Sequence, residues 1–410
     1  MRVAFTAVAT LALMGCNFAD SGSADETDNQ ASATAAAPAP DDNLADSMAS
    51  NDPRPLSAQD SNAMFPAPGS ASGAAGGQAG ELKMAAATTA TGKSSATGQA
   101  TAAGSASAAF PLMQAQVVLD RLGFTPGVVD GKNGMSTKNA IEGYQEANEL
   151  KVTGELDEPT RRALAPHRNI AATRQVTLPA EIANMTFTKV PDEAEAQAKL
   201  DRLGYNDLME KLAERFHTTP ETLAALNGGK QQFAGGDRLI VPNVGADRLV
   251  KGSVDDADWQ QTLQSLGVGS EQPKADKIVV DKSDGVLRAF DGNGKLVAQF
   301  SATMGSEHDP LPLGDWKILG TAHNPPFSYN PELFWDVSDK KGKLQLPPGP
   351  NGPVGVVWID LSKEHYGIHG TSEPQTIGRA QSHGCIRLTN WDAARLAQMV
   401  HSGTQAHFQA

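Results

Sequence analysis

The sequence reads as a multidomain chain: a small three-helix domain, then an α+β region, then a mostly-β C-terminal domain. That last domain is expected to be sandwich- or barrel-like, with a helix after its final loop. Length, composition and a change of apolar period point this way. At about 150 residues per domain, 410 residues allow two or three. Hydrophobic residues are 40% and aromatics 5%, with 40 Gly and 25 Pro, so part of the chain has too little apolar surface to pack. Apolar residues follow a helical period between residues 110 and 226 and read as strands after residue 274. A formal net charge of −13 argues against a nucleic-acid binder, which needs cations to neutralise phosphates, and against electrostatic docking on an anionic membrane.

Met1 and Arg2 precede an apolar run from Val3 to Met14. It is too short to span a bilayer and suits a signal-peptide core. It ends in Leu13-Met14-Gly15-Cys16, which resembles the lipobox of bacterial lipoproteins. The resemblance implies a signal peptide over residues 1–15 and lipidation of Cys16, hence a periplasmic protein anchored in a membrane. Asn17, in place of Asp after the cysteine, points to the outer membrane of a Gram-negative bacterium. With two cysteines in the chain, a lipidated Cys16 leaves Cys385 without a disulfide partner, either inert in a core or a reactive nucleophile.

Residues 16–109 are rich in Ala, Ser, Gly, Thr and Asp. From Asp20 to Asp60, nine acids face Arg54 alone, so most of the net charge lies here. Such a stretch cannot offset its ordering entropy by burial. As a flexible tether it would span roughly 50 Å.

Between residues 110 and 166, Leu112, Ala115, Leu119 and Leu122 share one helical face. Ser136 is placed to cap a second helix carrying Ile141 and Tyr144, and Asp157 a third that ends near Leu164. Leu122-Gly123-Phe124, Val129-Asp130-Gly131, Tyr144-Gln145 and Val152-Thr153-Gly154 follow in order, and this set resembles the peptidoglycan-binding domain.

Over residues 177–244, Leu208, Leu212 and Phe216 form one stripe, and Thr219-Pro220 opens a second helix that Asn227-Gly228 stops. Leu239 to Pro242 reads as a strand. The order resembles a degenerate LysM module, departing from that family in having no clear strand just before Leu208 and an acidic segment at 191–203. Residues 245–273 read as a polar linker with one short helix.

Residues 274–408 turn to strands: Lys277 to Val280, Val286 to Phe290 across Asp284-Gly285, Leu296 to Phe300, Val354 to Ile359 and Gly367 to His369. A helix capped by Thr389 or Asn390 runs to Val400. The lone thiol sits in Ser382-His383-Gly384-Cys385, with His369-Gly370 upstream. A thiolate is the nucleophilic form of cysteine, a histidine can take its proton, and that base needs a third group to fix its tautomer. Glycine beside the nucleophile lets a carbonyl approach backbone amides. These residue types suit acyl transfer through a thioester. Metal ligation by His369, His383 and Cys385 is disfavoured, since no carboxylate or further cysteine completes the set.

His369-Gly370 followed by Ser382-His383-Gly384-Cys385-Ile386-Arg387-Leu388 resembles the signature of the L,D-transpeptidase catalytic domain. Pro312 to Lys317, Asn324-Pro325-Pro326 and Gly355 to Trp358 add context. The resemblance implies Cys385 as nucleophile, His369 as base with its ring held by the Gly370 carbonyl, and His383 steadying the thiolate. It implies an oxyanion hole from the amides of His383, Gly384 and Cys385. Arg387 and Ser382 fall on the substrate side, Arg387 meeting a stem-peptide carboxylate and Ser382 shaping the loop. No metal or cofactor is implied. The implied partner is peptidoglycan: a tetrapeptide stem loses its terminal D-Ala and is joined 3→3 to another. The acceptor stays open between a stem amine, water and the lysine of a wall-attached lipoprotein. Cleavage of such links and non-catalytic wall binding are the remaining alternatives. His308, His323, His365, His401 and His407 receive no role, although His323 and Tyr366 lie near the motifs.

Overall fold

The computed structural model describes residues 111–245, 248–330, 342–380, 382 and 384–410. The expected signal peptide, Cys16 and tether lie outside these residues, as does His383. The described residues fall within one compact unit.

The N-terminal domain holds α1 (Leu112–Arg121), the short strand β1 (Phe124–Thr125), α2 (Met135–Ala147) and α3 (Glu158–Leu164). Two buried glutamines organise its turns. The Gln116 side chain donates to Thr137 Oγ1 at 2.9 Å and accepts from the Gly131 amide at 2.7 Å. Gln145 repeats the pattern one helix later, donating to Thr160 Oγ1 at 2.8 Å and accepting from the Thr153 amide at 2.7 Å. The two Val-x-Gly turns are thus held by internal amides, which satisfies backbone groups that would otherwise be buried unpaired. Asp157 caps α3 by accepting from Thr160 N, as its position predicts. No side chain caps α2, whose N-cap is Gly134 rather than Ser136.

Next come β2 (Thr173–Thr177), the single turn α4 (Ala194–Gln197), α5 (Leu208–Arg215), α6 (Pro220–Leu226) and β3 (Arg238–Pro242). β2 pairs antiparallel with β3, Thr173 facing Pro242 and Thr177 facing Arg238, so the region is a strand–helix–helix–strand unit. Its first strand lies well upstream of Leu208, ahead of the boundary expected at residue 177. Thr-Arg-Gln-Val-Thr is too polar to declare itself as a strand in isolation. It becomes one through its partner, which buries Val176 beside Leu239 and Val241.

The helix expected between residues 245 and 273 is α7 (Ala257–Leu266), capped by Asp256 and closed by Gly267 at φ 68°. It does not behave as a spacer. Trp259, Leu263 and Leu266 are buried in the C-terminal core, because the apolar face of this otherwise polar stretch has that core as its neighbour.

The C-terminal domain contributes β4 (Lys277–Asp281), β5 (Val286–Phe290), β6 (Leu296–Ser301), β7 (Thr303–Met304), β8 (Gly314–His323), β9 (Phe327–Tyr329), β10 (Leu344–Leu346), β11 (Val357–Leu361), β12 (Gly367–His369), β13 (Ile386–Arg387), α8 (Asn390–Met399) and β14 (Gln405–Gln409). Ten strands form one mixed sheet in the order β1-β6-β5-β4-β14-β8-β11-β12-β13-β7; β9 and β10 pair separately. The two halves share β8, whose first residues pair with β14 and whose later residues pair with β11. β6 and β7 are eight strands apart in that order, yet only Ala302 separates them in the chain. Laid flat, eight spacings would cover roughly 38 Å, whereas two peptide steps reach about 7 Å. The sheet therefore curls until its ends meet. Within the core α8 is buried on nearly every side, including the polar Asn390, Asp392 and Arg395.

The three regions are joined through buried contacts. β1 leaves the helical domain and extends the C-terminal sheet, pairing in parallel with β6, Phe124 beside Gln299 and Thr125 beside Phe300. Arg395 of α8 grips Asp120 of α1 with two hydrogen bonds of 3.1 Å. His217, after α5, approaches the same carboxylate at 3.0 Å, reaches the Leu266 carbonyl at 2.9 Å and stacks on Trp391 with ring centroids 4.9 Å apart. Thr125 Oγ1 donates to Asp392 Oδ2 at 2.8 Å. Burial pushes the Asp120 carboxyl up, but Arg395 and His217 outweigh it and hold it far below the usual carboxylate range. Asp392, less fully compensated, is raised to about 6 by burial.

Candidate active site

The site is built on two neighbouring strands. β12 and β13 run parallel, with Ile368 opposite Ile386 and His369 opposite Arg387. Ile368 and Ile386 point into the core. Strand alternation puts His369 and Arg387 on the other face, and Cys385, two residues before Arg387, on that face as well.

His369 is buried, its ring 5.7 Å from that of Trp358 and nearly parallel to it. Its Nδ1 lies 2.7 Å from the Gly370 carbonyl oxygen. A carbonyl only accepts, so Nδ1 carries the proton and Nε2 is left as the basic nitrogen. Burial, aided by the Arg387 cation, drives the imidazole down to about 4, against the pull of the Gly370 carbonyl. Gly370 has no room for a side chain, since a Cβ would overlap Asn390 Oδ1.

The Cys385 thiol is half-buried and faces the His365 carbonyl at 3.9 Å. Burial raises its pKa, partly opposed by the Gly367 amide and by Arg387. The thiol is thus pushed up while the imidazole is pushed down, so at neutral pH both are uncharged. His365 holds φ 68°, a left-handed conformation uncommon for a side-chain-bearing residue, and this aims its carbonyl at the sulfur.

Gly384 has φ 94°, and a Cβ there would lie 2.7 Å from the Tyr366 ring. Backbone conformation and a close aromatic neighbour both require glycine. Tyr366, raised by burial and by Cys385, packs on this loop, and Lys363 lies 5.7 Å from both the Tyr366 and Trp316 rings. Ser382 is buried: its hydroxyl accepts from the Gly305 amide at 2.7 Å and donates to the Cys385 carbonyl at 2.6 Å. These bonds pin the loop that carries Cys385 to the end of β7 and commit the hydroxyl to the backbone both as acceptor and as donor. Among the described residues no carboxylate lies within ion-pair distance of Arg387.

His369, Gly370, Gly384, Cys385, Ser382 and Arg387 therefore meet in one place. His323 does not join them; it stacks on Trp259 at 4.0 Å and its pKa is lowered by burial. The motifs gave no notice of Asn390, whose Oδ1 accepts from the Val356 amide at 3.2 Å. Nor did they mark Glu214, which accepts from Asn390 Nδ2 at 2.8 Å. A buried polar partner 176 positions away leaves no local signal in the sequence.

Residues 275–407 match the L,D-transpeptidase catalytic domain family. This segment is an L,D-transpeptidase catalytic domain. Residues 111–164 match the peptidoglycan-binding domain family, so the chain carries that domain ahead of the transpeptidase domain. A Bacillus licheniformis protein named as an L,D-transpeptidase is 28% identical over 203 residues, 48% of this chain and 92% of the relative. A Bacillus subtilis protein of the same name is 55% identical over 56 residues, 14% of this chain and 34% of the relative. Among solved structures, an L,D-transpeptidase from Mycobacterium smegmatis aligns with a TM-score of 0.27 at 23% identity, covering 32% of this chain. The chain spans 58% of the length of that structure.

Proposed function

We propose that this L,D-transpeptidase joins peptidoglycan stems through a thioester on Cys385. The supporting observation is the His369 ring, whose proton on Nδ1 is tied to Gly370 so that Nε2 is left unprotonated as a neutral base. Because thiol and imidazole both rest uncharged, the proton moves as the bond forms rather than beforehand. Cys385 Sγ attacks the carbonyl of the third stem residue while its proton passes to His369 Nε2. The tetrahedral oxyanion meets the amides of the loop at Gly384 and Cys385. The carbon–nitrogen bond then breaks, His369 returns the proton to the departing D-Ala amine, and the acyl group remains on sulfur. A side-chain amine of a second stem attacks the thioester and gives its proton to His369, the carbon–sulfur bond breaks, and His369 returns that proton to the sulfur, regenerating the thiol. Arg387, without a carboxylate partner among the described residues, would receive the carboxylate of the stem.

The same reading places lipid on Cys16, in the outer membrane, with the tether giving reach to the wall. The strand–helix–helix–strand unit has the element order of a LysM module, which supports glycan contact by it.

Mass spectrometry of a disaccharide-tetrapeptide incubated with the purified protein tests the reaction. The expected product is a dimer lighter than two substrates by one D-Ala, absent with Cys385→Ala. Tripeptide monomer alone would assign water, or an absent protein lysine, as the acceptor. Turnover by Cys385→Ala would remove the nucleophile assignment.

A further inference from the structure

We infer that Glu214, in the α5 helix of the strand–helix–helix–strand unit, is a positioning residue for His369, acting through Asn390. The inference rests on the reading of His369 as the base.

The links are direct. Glu214 Oε1 accepts from Asn390 Nδ2 at 2.8 Å, and the Pro350 carbonyl accepts from the same nitrogen at 3.1 Å. Two acceptors on the nitrogen fix which way the amide points. Its oxygen is thereby directed at the Val356 amide, 3.2 Å away, and into the space that side chains at Gly355 and Gly370 would occupy. The segment so held carries the Val354 carbonyl, which accepts from the Gly370 amide at 3.1 Å. Gly370 in turn supplies the carbonyl that orients the His369 ring. The His369 carbonyl is fixed on the other side by the Leu388 amide at 2.9 Å, two residues before Asn390. Glu214 and Asn390 are both buried, so losing the carboxylate oxygen withdraws an acceptor inside the protein.

The groups around Glu214 besides Asn390 are Tyr205, Glu210 and Lys211. Burial raises its carboxyl to about 7, so near neutral pH it is only partly ionised. A carbonyl-like oxygen accepting from an amide does not need the charge. Glutamine should therefore replace glutamate at this position, whereas a side chain without an oxygen in that place should not.

The test measures kcat, KM and the acid limb of the pH profile for wild type, Glu214→Gln, Glu214→Ala and Glu214→Asp, with Cys385→Ala as control and thermal melting to report folding. Glu214→Ala is expected to lower kcat about tenfold, leave KM within twofold and move the acid limb, since a loosened Gly370 carbonyl no longer holds the His369 tautomer. Glu214→Gln should keep kcat within threefold. If Glu214→Ala does not fold, Glu214→Asp carries the test: it withdraws the oxygen by one methylene and should lower kcat and shift the limb in the same direction. A folded Ala or Asp variant with wild-type kcat and limb would overturn the inference. So would a rate that falls only with the folded fraction. Wild type showing no Cys385-dependent turnover would instead overturn the proposed function, leaving the two failures distinct.

Discussion

Cys385 and His369 rest as a neutral pair because their environments push in opposite directions. This has a pH signature. His369 is held at about 4 in the folded protein, against about 6.5 when unfolded. Between those values the unfolded chain binds more protons, so this residue's contribution to stability is complete above about 6.5 and is lost as pH falls towards 4. If His369 acts as the proposed base, it should stay competent to about pH 5, and thioester formation should decline only below that; an acid limb centred near 6.5 would show that the ring is not buried. At Gly384, alanine would need both a left-handed backbone and displacement of Tyr366. Gly384→Ala should slow acylation by two orders of magnitude or more while the protein stays folded, checked by single-turnover kinetics beside circular dichroism. That these residues lie together was legible in the sequence because they fall in two short contiguous motifs. Glu214, Asn390 and the His365 carbonyl were not, because only tertiary packing brings them to the site. Ser382 was legible in position only. Its hydroxyl is committed to the Gly305 amide and the Cys385 carbonyl, which no motif states.

Among the elements, helices were the easier to read. Asp157, Asp207, Thr219 and Thr389 each accept an amide hydrogen bond at a helix start, and caps are a local signal. β1 and β2 were hidden for the converse reason. β1 is two residues long, and its partner β6 lies more than 170 positions later in the chain. β2 depends on β3 across some sixty intervening residues. The helix in the expected linker was legible, but its destination was not. Trp259→Ala is expected to cost about 3–5 kcal/mol, read by denaturant titration, because it empties a core position beneath the stacked His323. Thr125→Val keeps the shape of β1 but leaves Asp392 without that donor. Its expected cost is about 1–3 kcal/mol with no change in KM.

At the scale of the whole molecule, the sequence suggests beads on a string and the structure shows shared walls. Sequence reading divides the chain where motifs change, and nothing in a motif reveals that Asp120, His217 and Arg395 will meet. Arg395→Met would leave the Asp120 carboxylate buried with a weakened partner set. It should destabilise the protein by about 3–5 kcal/mol and lower the midpoints of the helical and β signals together. A chain beginning at residue 274, at the edge of the matched transpeptidase domain, should give little soluble protein. It would bare the β6 edge and remove α7 from the core, whereas a chain beginning near residue 106 should remain soluble. Recovery of a stable, active fragment from residue 274 would show that the joined regions are accessories.

The β1–β6 pairing also bears on how the enzyme surveys its substrate. A recognition domain on a loose linker sweeps a volume, and its yield depends on linker length. Here the peptidoglycan-binding domain lends β1 to the sheet whose strand β13 directly follows Cys385, so the separation between the two is set by the sheet and not by a linker.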